Sequence, residues 1–237
     1  MAIARRKLAT SFVAAIAARG IAFYLRLVAR RSRFQFFDGD RQADPSALAA
    51  CLHETMATGS AIFPFWNCDS LVLLTVFAGN PSLQTLSAEF IITADDSFGG
   101  SVTLSLVRQL GLRPYLIRRS DPAGRIRDLQ SLVSAEPRLV IAVDSHGPYR
   151  TVGVATGRLI RRLNAAVTPI AASCTRHVPL FRRKDLNMLL PLPGGDIVFC
   201  KSGDAQPFAG KTPVQVCQDL HLNLSVLHAV TRAAVKA

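Results

Sequence analysis

Three stretches of the chain gather side chains able to do chemistry. The run FPFWNCDSLVLL, residues 63 to 74, offers an amide, a thiol and a carboxyl group in Asn67, Cys68 and Asp69. Further on, VIAVDSHGPYRTVG carries Asp144, Ser145, His146 and Arg150, with an acid two residues before an imidazole. Between them, GLRPYLIRRS ends a short apolar run in Arg118 and Arg119. A histidine with a pKa near neutrality takes the proton from an attacking hydroxyl, an effect worth about 10²–10⁴-fold in rate. A thiol beside a histidine supports a two-step acyl transfer, although a lone cysteine is more often a small buried hydrophobe. Two guanidinium forks at the end of a strand suit a phosphate-bearing guest, and basic residues are also common at solvated strand ends. Ser145 or Cys68 with His146 would make a hydrolase, but DSHG lacks the Gly-x-Ser-x-Gly elbow. Asp95 and Asp96 in TADDSFGG form a carboxylate pair with no third acid or histidine nearby, which fits the loop before a helix better than a metal site. The histidines at 53, 177, 221 and 228 read as structural, the last two being seven apart on a final helix.

These groups need a scaffold, and the sequence describes one. LSAEFIIT, PYLIR, RLVIAV and AVTPIAAS are short β-rich apolar runs. Between them, Ser101 to Leu110 stops at Gly111, Ala123 to Ser134 stops before Pro137, and Val154 to Leu163 stops at Asn164, as helices do. Ser46 to about Met56 also reads as a helix, LLPL and DIVFCKSG as late strands, and Thr212 with Pro213 as the start of a last helix. Strands alternating with helices predict an α/β fold, one domain with a largely parallel sheet flanked by helices. In such sheets ligands bind at the carboxyl ends of the strands, where the loops bearing Asn67, Arg118 and Asp144 should meet.

A chain of 237 residues with 49% hydrophobic and 19% charged residues is long enough for one full core. Its net charge of +12 is concentrated at the start: Arg5, Arg6, Lys7, Arg19, Arg26, Arg30, Arg31 and Arg33 precede any acid. In LATSFVAAIAARGIAFYLRLVARRSR, Arg19, Arg26, Arg30 and Arg33 fall on one stripe of a helix that is otherwise apolar. Burying Arg19 at a bilayer centre would cost roughly 2.5–3.5 kcal/mol, whereas each interfacial arginine gains about 1 kcal/mol from an anionic headgroup. The expectation is therefore a basic amphipathic membrane-association helix over 1–35 and a catalytic-type domain over 36–237. A buried domain helix and a targeting segment are the competing readings. Apolar residues separate the arginines, which argues against nucleic acid as partner. Five dispersed cysteines without a CxxC pair argue against a disulfide scaffold or a zinc site, and no metal is expected.

Four blocks between about residues 60 and 208 resemble, in order, the lysophospholipid acyltransferase superfamily, most closely its branch of small bacterial proteins grouped as a domain of unknown function. That family places an aromatic-flanked histidine after its first strand. In a Trp-His-Gly frame Asn67 stands in its place; in an Asn-His-x-Ser frame Cys68 does, with Ser70 matching and Leu73 replacing the acid. Tyr115 to Arg118 resemble the Phe-Ile-x-Arg segment, and Asp144, Gly147, Pro148 and Arg150 resemble the acid-Gly-Pro-Arg block with Ser145 and His146 inserted. Pro169 matches the proline of a Val-Pro-Val segment. The resemblance implies a glycerol-3-phosphate acyltransferase-like fold and acyl transfer from acyl-CoA or acyl carrier protein to a lysophospholipid-like hydroxyl. It also implies no resident cofactor and a location on the cytoplasmic face of the inner (plasma) membrane. Catalytic candidates are Asn67, Cys68, Asp69 and His146, with Arg118, Arg119, Asp144, Gly147, Pro148, Arg150 and Pro169 for substrate. Because neither frame supplies the family histidine, a lipid-binding protein without turnover is the alternative.

Overall fold

A computed structural model describes residues 2–57, 59–118, 138–144, 149–183, 186–203 and 208–236, with 127–128, 131–132, 135 and 205 between them. It is an α/β structure whose larger sheet has five strands in the order β5-β4-β6-β3-β7. These are β3 (Ala61–Phe65), β4 (Ile91–Asp95), β5 (Arg113–Ile117), β6 (Arg138–Ala142) and β7 (Ala166–Val167), and every pairing among them is parallel. All five residues of β3 are buried, as a strand with both faces covered by helices requires. Pro64 is tolerated there because β7 pairs only with Ala61 and Ile62, so β3 has no partner on that side where the missing N–H would be needed.

A second sheet, β2-β1-β11-β8, was not legible as such. It joins β1 (Arg33–Asp38) in parallel to β11 (Asp196–Lys201), with β2 (Arg41–Gln42) and β8 (Ile170–Cys174) antiparallel at its sides. A hairpin of β9 (His177–Arg183) and β10 (Leu186–Pro191) completes the strands. The expected single strand AVTPIAAS is therefore two: β7 and β8 belong to different sheets, and the chain crosses between them at Thr168 and buried Pro169. LSAEFIIT is likewise corrected, because Leu86 and Ser87 close a helix, Pro81–Ser87, and the strand begins only at Ile91.

The helices expected near Ser46, Ser101, Val154 and Thr212 are present within a few residues of those positions, and the helix Pro81–Ser87 was not expected. In chain order the helices are α1 (Ala2–Arg31), α2 (Pro45–Ala57), α3 (Ser70–Gly79), α4 (Pro81–Ser87), α5 (Phe98–Gln109), α6 (Val154–Leu163) and α7 (Pro213–Ala234). Thr212 and Gln215 form a reciprocal capping box on α7, and Asn164 ends α6 in the left-handed conformation. The helix expected over 123–134 lies largely outside the described residues.

Helix α1 is two-sided. Ala14, Ala18, Ala22, Leu25 and Val28 are fully buried, at the three- and four-residue spacing of one helix face, and the last four belong to the main core. The opposite side leaves Phe12, Ile16 and Phe23 at 69%, 54% and 71% exposure, with Arg19 exposed among them. The stretch Phe12–Arg31 is long and apolar enough to cross a membrane by length and composition, while a third of it is buried within the protein.

Candidate functional site

Strands β3 and β6 are neighbours, and their carboxyl ends carry the two loops the sequence singled out. After Phe65 the chain passes through Trp66 into a single 3₁₀ turn, Asn67–Asp69, and then directly into α3. After β6 it turns at Asp144 and returns to the same region at Tyr149 and Arg150. Asp144, 2% exposed, joins the two loops: Oδ1 accepts the backbone N–H of Asn67 at 2.7 Å and Oδ2 that of Arg150 at 2.9 Å. Charge-assisted bonds of this kind are short and strong, and they satisfy a carboxylate that would otherwise be costly to bury. Asp144 thus fixes the geometry of both loops. Arg150 reaches its position with φ +54°, an uncommon conformation for a residue with a side chain.

The 3₁₀ turn sorts the three candidates of the first loop. Asn67 faces its own turn, where its backbone and side-chain oxygens accept Ser70 Oγ at 2.7 and 3.1 Å. Cys68 and Asp69 point inward, at 2% and 0% exposure, and Cys68 Sγ donates to Asp69 Oδ1 at 3.1 Å. Burial, and then the adjacent Asp69 carboxylate, push the Cys68 thiol well above its ordinary pKa despite the opposing pull of Arg150. A protonated, enclosed thiol is a poor nucleophile, which counts against the cysteine-hydrolase reading.

The imidazole at this site comes from α7. His228 is 4% exposed, its Nδ1 lies 3.5 Å from Asp69 Oδ2, and its Nε2 meets the Arg150 guanidinium through Nη2. An arginine can only donate, so Nε2 is the acceptor and the proton of the neutral ring sits on Nδ1, facing Asp69. Two turns earlier on α7, His221 packs edge-on against buried Trp66 at 5.6 Å between ring centroids. The sequence assigns His228 a structural role, and the structure adds that it faces Asp69 and Arg150. Its neighbours on α7, buried Leu224 and Leu227, gave it the pattern of a core position, and only the fold reveals the acid it faces. Cys68, Asp69 and His228 also bring their ligand atoms within 4.8 Å of one another, a cluster that no local spacing in the sequence displays.

The remaining candidates divide. Arg118 turns to Asp128, with its backbone N–H bonded to Oδ2 at 3.0 Å and Nη1 3.5 Å from Oδ1. It follows β5, two strands from β6 and so roughly 10 Å from that strand in the hydrogen-bonding direction, rather than joining the central group. Pro169 accepts Ser202 N–H through its carbonyl at 2.9 Å, at the crossing between sheets. Asp95 accepts from the Ser97 backbone N–H at the start of α5, in line with a capping role. Arg119, Ser145, His146, Gly147 and Pro148 lie outside the described residues.

What the arrangement can do chemically is narrow. A neutral imidazole with its proton on the side of a buried carboxylate, 3.5 Å away and not hydrogen-bonded to it, and its other nitrogen bearing a lone pair, has the form of a general base. The cation on that nitrogen, Arg150, has a buried Nε without a hydrogen-bond partner among the described residues. No family model matches the chain, and no curated protein matches it.

Proposed function

We propose that this protein transfers an acyl group from a thioester donor, acyl-CoA or acyl carrier protein, to the hydroxyl of a lysophospholipid-like acceptor at an anionic membrane surface. The observation that carries the reading is the His228–Asp69 pair at the carboxyl end of β3, beside the segment that resembles the acyltransferase entrance. His228 fills the role left open by Asn67 and Cys68. In this reading the acceptor takes the place of Arg150 on Nε2, and the displaced guanidinium holds the acceptor's phosphate. His228 removes the hydroxyl proton, and the oxygen attacks the thioester carbonyl. The tetrahedral adduct then expels the thiolate, which leaves as the thiol with the proton carried by His228. No resident cofactor is required. The glycerol-3-phosphate acyltransferase-like fold is part of the proposal, supported by the parallel order of β3, β4 and β6 and the loops at their carboxyl ends.

Membrane attachment follows from α1. Its exposed phenylalanines and arginines suit the headgroup boundary, and its buried face is held by the protein core. The cytoplasmic face is favoured because that leaflet is rich in anionic lipid.

One observation favours a second reading, lipid binding without turnover: Nε2 is already engaged by Arg150 and the pair is buried. Incubating the purified protein with labelled acyl-CoA and lysophospholipid in anionic vesicles separates the two. Labelled diacyl phospholipid supports transfer, and vesicle-bound protein that forms none supports the second.

A further inference from the structure

The geometry points to a second use of the same pocket: Cys68, Asp69 and His228 form a binding site for a thiophilic divalent cation of the zinc class. The donor set is one sulfur, one oxygen and one nitrogen, the set zinc accepts, and all three side chains are at most 4% exposed. Tetrahedral zinc with bonds of about 2.0–2.3 Å needs its ligand atoms about 3.4–3.6 Å apart. Here Cys68 Sγ lies 3.1 Å from Asp69 Oδ1, Asp69 Oδ2 lies 3.5 Å from His228 Nδ1, and the whole set falls within 4.8 Å. Asp69 is thus already close to zinc-ligand spacing from each of the other two residues, and the whole set closes to that spacing with a shift of about 1 Å at most.

The second, independent observation is what the protein leaves undone. Asp69 Oδ2 and His228 Nδ1 are buried, and among the described residues neither has a hydrogen-bond partner. Buried polar atoms are nearly always paired, and these two, facing each other at 3.5 Å without a hydrogen bond, leave a place for a cation between them. Binding moves two protons: the Cys68 thiol gives its proton to solvent as the sulfur–metal bond forms, and the ring proton of His228 leaves Nδ1, which takes the metal, and is carried on Nε2. Thiolate and carboxylate together cancel the charge of a divalent ion, and the Arg150 guanidinium, which can only donate, must turn away from the protonated Nε2.

The site shares Asp69 and His228 with the acid–base pair but does not depend on acyl transfer. A metal on Nδ1 takes that nitrogen away from Asp69, so occupancy and the base function exclude one another, and zinc acts as an inhibitor of the transfer proposed above.

The test uses cobalt(II) as a spectroscopic stand-in, titrated into chelator-treated, full-length protein with no lipid or thioester present. A thiolate-to-cobalt charge-transfer band in the near ultraviolet is expected. It should be absent from Cys68→Ser, retained in Cys174→Ala, and shifted to at least tenfold higher cobalt concentration in His228→Gln. Circular dichroism identifies which variants are folded. No band in folded wild-type protein, or a band undiminished in folded Cys68→Ser, overturns the site. Because the readout contains no substrate, its failure is distinct from failure of the acyl-transfer reading, which is measured on metal-free protein.

Discussion

His228 Nδ1 stands 3.5 Å from Asp69 Oδ2, joining the last helix of the chain to the turn that follows β3. Neither residue has meaning for chemistry alone. Asp69 is an isolated carboxyl group in a run of apolar residues, and His228 is an imidazole on the inner face of a long helix. Parallel pairing of β3 with β6 and the packing of α7 against α6 and the second sheet set the distance between them.

The packing of α7 gives the first prediction. A Cβ on Gly157 of α6 would sit 2.4 Å from the carbonyl oxygen of Pro213 and 2.9 Å from Cys217 Sγ, so α7 must shift to admit it. Gly157→Ala should cost about 1–3 kcal/mol in urea unfolding and should lower transfer activity as well, because His228 rides on the displaced helix. Unchanged stability would mean that the α6–α7 contact is looser than described.

Asp144 should matter for stability before it matters for substrate. Each of its bonds to a half-buried backbone N–H is worth about 1.5–3 kcal/mol. Asp144→Ala leaves both donors unpaired and is expected to destabilise by about 3 kcal/mol or more, whereas Asp144→Asn, which retains one acceptor oxygen, should lose roughly half as much. Equal and small effects from the two variants would remove Asp144 as the link between the loops.

The exposed face of α1 is predicted to hold the membrane. Phe12→Ser with Phe23→Ser should abolish co-flotation with anionic vesicles and leave the thermal midpoint unchanged, since both side chains are in solvent. Arg19→Gln should weaken flotation, most visibly at low salt, because an interfacial arginine is worth about 1 kcal/mol. Leu25→Asp, placed in the core, should instead prevent folding. Flotation undiminished by the phenylalanine pair would contradict the assignment of this face.

Alkaline pH should destabilise the fold through its buried thiols. Burial, and then the carboxylate of Asp38, push Cys200 up to about 12; burial, and then Asp69, do the same for Cys174. An unfolded cysteine ionises near pH 8.5, about three units earlier. With the folded pKa above the unfolded one, this contribution to stability is complete below about pH 8.5 and is lost as pH rises toward 12. The thermal midpoint should therefore fall between about pH 9 and pH 11, and by less in Cys200→Ala. An identical alkaline decline in that variant would assign the effect to other groups.

Local signals carried much of the architecture. The alternation of strands and helices, the stop at Asn164 and the cap at Thr212 each depend on a few neighbouring residues, and the structure places those elements within a few positions of where the sequence puts them. The loop after β6 was also legible, because an apolar run ending in polar residues marks a strand end, whereas the loop after β3 stood out only through the resemblance of its residues to a family motif. The second sheet was not, since β1 meets β11 across most of the chain and nothing in Arg33–Asp38 names its partner. The same holds within the site. Asn67 and Cys68 drew attention by position, yet the turn directs Asn67 to Ser70 and buries Cys68 against Asp69. A histidine among leucines on a helix, such as His228, carries no local mark of the acid it faces. Its significance lies in Asp69 and Arg150, which tertiary packing supplies.

The most direct test is the turnover of acyl-CoA and lysophospholipid by metal-free protein, comparing wild type with His228→Gln, Asp69→Asn and Asn67→His. An oriented general base predicts measurable transfer by wild type, a fall of about 10²–10⁴-fold in His228→Gln and Asp69→Asn, and no requirement for a histidine at position 67. Transfer unaffected by His228→Gln, or no transfer by either wild type or Asn67→His, would contradict it.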